Sequence, residues 1–298
     1  MQYIYYPGCS LEGTALEYDA STRAVLEMAG VELLELEDWT CCGATAAESV
    51  GRLLSLALPA RNLALAQQMN PGLDILVPCS ACYLNLKKVA VKVRTDPELL
   101  TQINAVLAPE HLTLSGPVNV KHLLEVLVKD IGSERLAERV THPLRDLTIA
   151  PYYGCQCLRP YAVFDDPEQP RSMEGVIRAT GADVLKWSMG AKCCGASHMN
   201  TKIEVGLTLC GAILTAAQSA DAIVTVCPMC QMNLEGYQKK LSRTAARTMP
   251  ISVLYLPQLL GLAMGIAGQD LKVDLNLALR KTFQEKIRPL VVEKAAAV

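Results

Sequence analysis

Short apolar runs rich in Val, Ile and Tyr recur along the chain, at residues 3–6, 31–36, 75–77 and 118–120, then at 148–152, 183–186, 223–226 and 252–255. None alternates strictly between apolar and polar, so each predicts a strand buried on both faces. Between them lie Ala- and Leu-rich segments with helical spacing. In one of these, "AAESVGRLLSLALPARNLALAQQM", Pro59 predicts a kink or two shorter helices. Residues 84–93 fit strand or helix almost equally, with a slight preference for helix. The most apolar stretch, "ISVLYLPQLLGLAMGIAG", contains Pro257 and Gln258 and predicts a buried strand running into a core helix rather than a membrane span. Alternating strand and helix predicts an α/β fold built on largely parallel sheet.

The pattern is written twice. "YIYYPGC" returns as "IAPYYGC", "GVELLELEDWTCCGA" as "GADVLKWSMGAKCCGA", and "LDILVPCSACYLNL" as "DAIVTVCPMCQMNL". The offsets are 146, 152 and 148 residues, so order and approximate spacing both survive. The expected architecture is therefore two duplicated, pseudo-twofold-related α/β (Rossmann-like) halves, residues 1–145 and 146–298. Cys9, Cys79, Cys155 and Cys227 each close a strand-like run at its carboxyl end, the edge where open α/β sheets bind ligands.

Composition sharpens this reading at one point. The net charge of −2 and the absence of a basic tract give no reason to expect nucleic acid. The N-terminus "MQYIYYPGCS" lacks the basic and apolar regions of an export signal. Twelve cysteines in such a chain predict metal ligands or redox thiols in a reducing cytoplasm, rather than a disulfide framework.

Ten of the twelve obey the repeat: Cys9, Cys41, Cys42, Cys79 and Cys82 in the first half, Cys155, Cys193, Cys194, Cys227 and Cys230 in the second. A repeated five-cysteine pattern argues against simple core packing. Structural zinc wants four ligands and leaves one cysteine over, although four of five could still serve. Iron–sulfur clusters take thiolate as their usual ligand. Five thiolates fit best if the cluster departs from a cube and one sulfur bridges two irons. A vicinal pair reaches two adjacent irons more readily than it chelates one ion, and bridging the pair to itself would strain a disulfide. A spare redox thiol in each pair is the alternative. Gly43 and Gly195, after the pairs, are expected to leave room for inorganic sulfide.

The motifs "PGC", "CCGA" and "CSACYLNL", then "YYGCQCLRP", "CCGAS" and "CPMCQMNL", closely resemble the B subunit of heterodisulfide reductase, a two-copy protein of the cysteine-rich CCG-domain family. The resemblance covers nearly the whole chain, from Tyr3 to about Gly265. It implies two non-cubane 4Fe-4S clusters, one on each set of five cysteines, facing a shared cavity where a disulfide is cut or formed. It also implies two partners, a ferredoxin-like C subunit and a flavin-bearing A subunit. The chain departs from the family pattern at Gln156 and Cys157, after Cys155, and at "ASHMN" with His198. The substrate is therefore less well defined than the cluster chemistry. Relatives with this domain also serve sulfur oxidation or act as iron–sulfur subunits of hydroxy-acid or succinate oxidoreductases.

Outside the ligand set, His198 is a candidate proton donor near neutral pH, against the blander reading of an exposed or satisfied histidine. Cys157 is a candidate cavity thiol, against packing, and Cys210 reads as core. Lys192 and Arg159 could attract an anionic substrate, with solvated surface charge as the default. Tyr6, Tyr152 and Tyr153 read as packing residues. No flavin or nicotinamide fingerprint and no ferredoxin-type cysteine run is present, so electrons must come from a partner. The expected function is the catalytic iron–sulfur subunit of a cytoplasmic heterodisulfide-reductase-like oxidoreductase acting on sulfur groups. An electron relay for a flavin-dependent dehydrogenase and a zinc-stabilised scaffold are the rivals.

Overall fold

The computed structural model describes residues 1–44, 46–244 and 250–292, so 245–249 and 293–298 of the expected second half lie outside the described residues. Among the described residues, eight strands form two four-stranded parallel sheets. β1 (Gln2–Tyr5), β2 (Glu32–Glu35), β3 (Ile75–Val77) and β4 (Val120–His122) lie in the order β2-β1-β3-β4. β5 (Thr148–Tyr152), β6 (Asp183–Val184), β7 (Ala222–Thr225) and β8 (Ser252–Tyr255) repeat it as β6-β5-β7-β8. In both sheets the chain leaves the central strand to one side and returns on the other, so the switch point falls between β1 and β3 and between β5 and β7. A crevice opens at the carboxyl ends there, where the connections diverge. The first cysteine of each repeat follows β1 or β5, and each C-x-x-C follows β3 or β7.

Two expectations need correction, and the slight preference for helix over 84–93 is borne out. The break in the Ala/Leu-rich segment falls at Gly51, between helices Ala46–Val50 and Arg52–Met69, and the second helix passes through Pro59. Proline removes only one amide donor there, and the flanking residues are buried against neighbouring helices, so packing outweighs the lost bond. Residues 84–93 are wholly helical within Ser80–Thr95, burying Cys82, Leu86, Val89 and Val93 at three- and four-residue spacing. The last strand of the first sheet runs to His122, two residues later than its pattern predicts, because Val120 pairs with Ile75 and His122 with Val77. The apolar stretch near residue 255 is a buried strand entering helix Leu256–Ala263, as expected. Among the described residues no helix is long and apolar enough to cross a membrane.

One apolar core runs through both halves, joining Tyr5, Leu26 and Leu86 to Val224, Leu254 and Leu260. At the junction Tyr18 stacks on Tyr255, with rings 4.1 Å apart and 3° from parallel. The Tyr18 hydroxyl donates to the Pro78 carbonyl at 2.9 Å, just before Cys79. The cysteine-bearing edges of the two sheets are thereby fixed against each other.

Candidate iron–sulfur site

Each repeat gathers its five cysteines. In the first half, Cys9 and Cys41 approach to 3.6 Å and Cys42 and Cys82 to 3.3 Å. In the second, Cys194 and Cys230 approach to 3.6 Å. Electrostatic interaction further links Cys41 with Cys42, Cys82 with Cys79, Cys155 with Cys193, Cys193 with Cys194 and Cys230 with Cys227. Cys79 and Cys227 then meet across the junction. The result is one unbroken line of sulfurs, 9–41–42–82–79 and 227–230–194–193–155, which reads the same from either end.

Matching residues shape both nests. The Tyr6 hydroxyl donates to the Thr40 carbonyl at 2.7 Å, and the Tyr152 hydroxyl to the Lys192 carbonyl at 2.6 Å. Each carbonyl immediately precedes a vicinal pair. The carboxamides of Asn85 and Asn233 donate to the carbonyls of Cys42 and Cys194 at 3.0 and 3.2 Å. A tyrosine and an asparagine thus clamp each Cys-Cys loop on both sides. Their only signal in the sequence is position, since both occupy equal places in the two repeats. By residue type alone the tyrosines read as packing, and the asparagines carry no marked chemistry.

The glycines after the pairs do other work than expected. Gly43 and Gly195 have φ of +70° and +80°, but a methyl on them would meet Ala47 and Leu58, or the backbone of Gly206, rather than sulfur. The glycines that make room for sulfur are Gly8 and Gly154, before the first cysteine of each repeat. With φ of +73° and +71°, they pass so close that a Cβ would stand 2.9 Å from the Cys82 sulfur and 3.1 Å from that of Cys230.

The nests differ in cover. Cys9 and Cys41 are exposed, whereas their counterparts Cys155 and Cys193 are half-buried. All five cysteines of the second nest line a small cavity of about 40 Å³, together with Ser80 from the first half. The longer segment after Cys155, residues 156–171, accounts for part of the difference. Arg159 ties it down through the carbonyls of Pro167 and Ala191 and the carboxylate of Glu168, so this guanidinium is a loop clasp rather than a free anion site. Phe164 of the same segment stacks on His122 of the first half, 6.1 Å away and 9° from parallel. Roomier hollows of about 920 and 1070 Å³ lie elsewhere, and no cysteine lines either.

The remaining candidates separate. Cys157 is buried, lies outside the cavity lining, donates to the Tyr153 carbonyl at 3.2 Å and touches Ser80. Burial pushes its thiol up to about 12 and does the same at Cys210, which packs in the second-half core. His198 is half-buried at the end of the turn Ala196–His198, where its charge helps to lower Cys193. Lys192 is exposed.

The donor set suits an anionic sulfur ligand field. Hydrogen bonds from Cys41 and then Cys82 hold the Cys42 thiol down at about 4. Cys155 and then Cys194 do the same for Cys193, down to about 2. In each vicinal pair one thiol is thus biased toward the thiolate, the form that binds metal. Among the described residues, no three His, Cys, Asp or Glu side chains are grouped as a single metal ion requires. A line of sulfurs with glycine-cleared space beside it fits a ligand made of several metal atoms better than one ion.

Comparison with known proteins agrees with this chemistry. A family model described as a cysteine-rich domain, CCG, matches residues 3–87 and again 149–235. The chain is 36% identical over 280 residues to the membrane anchor subunit of 8-methylmenaquinol:fumarate reductase from Wolinella succinogenes, covering 93% of this chain and 96% of that protein. It is 30% identical over 274 residues to a protein from Archaeoglobus profundus described as like the B subunit of heterodisulfide reductase, covering 89% and 91%. With the B subunit of the ferredoxin:CoB-CoM heterodisulfide reductase from Methanosarcina mazei it shares 28% over 289 residues, covering 94% and 95%. A crystal structure of a hypothetical protein from Helicobacter pylori shares the fold, with a TM-score of 0.74 at 17% identity over 94% of this chain and 52% of that one. With both repeats matched and both nests assembled, the chain belongs to the CCG cysteine-rich domain family.

Proposed function

We propose that the chain is the iron–sulfur redox subunit of a multi-subunit oxidoreductase. Cys9, Cys41, Cys42, Cys79 and Cys82 would hold one cluster, and Cys155, Cys193, Cys194, Cys227 and Cys230 the other. The observation that carries this reading is the unbroken line of ten sulfurs through the Cys79–Cys227 contact. Bound there, iron–sulfur clusters supply one-electron acceptor and donor chemistry. The protein's own part is to fix the sulfurs, through the Tyr6 and Asn85 clamp and the Tyr152 and Asn233 clamp, and to keep water from the buried Cys79, Cys82, Cys227 and Cys230. The interaction between Cys79 and Cys227 at the centre of the line supports electron transfer between the two ligand sets. The chain carries no flavin or nicotinamide fingerprint, so electrons enter or leave through another protein of the complex, as the relatives named for fumarate reductase and heterodisulfide reductase suggest.

Iron and acid-labile sulfide analysis on anaerobically purified protein tests this reading. About eight irons per chain are expected for two four-iron sites. Zinc without iron would eliminate the redox role.

A second, finer reading makes the chain catalytic, cutting or forming a disulfide between the two sites. The relatives named for heterodisulfide reductase favour it; the small cavity at the second nest takes Ser80 but no cysteine from the first half. Here His198 would give a proton to the leaving thiolate, and the ferredoxin-like C and flavin-bearing A subunits would be the partners. Adding disulfides to the reduced protein and recording its electron paramagnetic resonance separates the two. A changed spectrum is expected for catalysis and an unchanged one for a pure relay.

A further inference from the structure

One buried polar group belongs to neither ligand set. Ser80, 1% exposed, starts the helix after Cys79 and yet lines the second nest. Its hydroxyl lies 3.0 Å from the Val226 carbonyl, in the other half and just before Cys227, and 3.1 Å from Nε2 of the fully buried His122. The direction of these bonds follows from the imidazole's other nitrogen. Nδ1 of His122 accepts the amide proton of Leu124 at 3.1 Å, so the ring proton sits on Nε2 and is donated to the Ser80 oxygen. The Ser80 hydroxyl proton is left to donate to the Val226 carbonyl. His122 is in turn fixed between Tyr83, edge-on at 5.3 Å, and Phe164. The second half offers no counterpart, because Pro228 occupies the place of Ser80 and Tyr255 that of His122.

We infer that Ser80, held by His122, is a positioning residue that the first half contributes to the second nest and that makes the two cluster sites electronically unequal. Its hydrogen bond satisfies the Val226 carbonyl, one residue before Cys227, while its polarised oxygen keeps a polar group at the cavity wall. Removing the hydroxyl takes one donor from the buried Val226 carbonyl next to Cys227, and the added negative field disfavours reduction there. The inference rests on the proposed iron–sulfur reading.

The test is a redox titration of the full chain, purified anaerobically, followed by electron paramagnetic resonance. Cys82→Ala and Cys230→Ala, each disabling one nest, assign the signals. Ser80→Ala is expected to keep the wild-type iron content and to shift only the second-nest midpoint to lower potential, and Ser80→Thr to restore it. Unchanged potentials, an equal shift in both nests, or iron loss that Ser80→Thr does not repair would overturn the inference. Wild-type protein without iron would instead overturn the underlying reading.

Discussion

The two nests share a topology, a clamp and a palindromic order of sulfurs, but not their exposure. In the first, the outer pair Cys9 and Cys41 is open; in the second, Cys155 and Cys193 are partly covered beside the inserted segment 156–171. What holds the sulfurs is the same in both halves: a glycine with positive φ before the first cysteine, a tyrosine before the pair and an asparagine after it. What differs is the exposure of the outer cysteines and the length of the connection that follows the first cysteine. Duplication thus preserves the geometry that a multi-metal ligand demands, and leaves the surrounding loops free to give each copy a different environment.

The sharpest way to break this comparison is at the glycines. Gly8→Ala places a methyl 2.9 Å from the Cys82 sulfur in a left-handed backbone. It should displace that sulfur and cost about half of the bound iron, all of it from the first nest. Gly154→Ala, with 3.1 Å of clearance, should lose less. Iron per chain and the surviving resonance signals check both.

Next in size are two buried groups, one per half, that titrate in opposite senses. Burial holds the His122 imidazole down at about 4 from an ordinary 6.5. Below about pH 6.5 the unfolded chain takes up a proton that the folded chain refuses, so His122 costs up to about 3 kcal/mol as pH falls toward 4. Burial raises Glu235 from 4.5 to about 7. Its share of stability is complete below about pH 4.5 and is lost as pH rises through about 7, again by up to about 3 kcal/mol. Glu235→Gln should therefore stabilise the protein at pH 8, and His122→Asn should flatten the acid limb. Denaturant unfolding across pH reads both.

Smaller effects separate the clamps. Tyr152→Phe should cost about 1–2 kcal/mol, because it strips a donor from the Lys192 carbonyl. Tyr6→Phe should cost less, since the Thr40 carbonyl keeps the Asn62 carboxamide at 2.8 Å. Thermal melting of the two variants ranks them. The least change is expected from Cys210→Ala, about 1 kcal/mol with iron content unaltered, because this thiol packs in the core and gives only a long hydrogen bond, 3.4 Å, to the Asn233 carbonyl.

Much of this was legible in the sequence. The repeat of five cysteines marked both nests, and the runs ending at Cys9, Cys79, Cys155 and Cys227 placed them at the carboxyl edge of parallel strands. Local pattern failed where long-range contact decides. Residues 84–93 carried strand and helix signals alike until packing on the sheet selected a helix. Gly43 and Gly195 stood next to the cysteines in sequence, but a side chain there would meet a helix, while Gly8 and Gly154 met sulfurs some 75 residues away.

By itself the sequence determined the duplication, the strand–helix order and the ten repeated cysteines, since these depend on residue type and spacing along one chain. Only the tertiary structure decided that the nests touch at Cys79 and Cys227, that one lies more open than the other, and that Ser80 serves the opposite half. Those facts depend on how two sheets pack against each other, and no periodicity within either repeat encodes that packing.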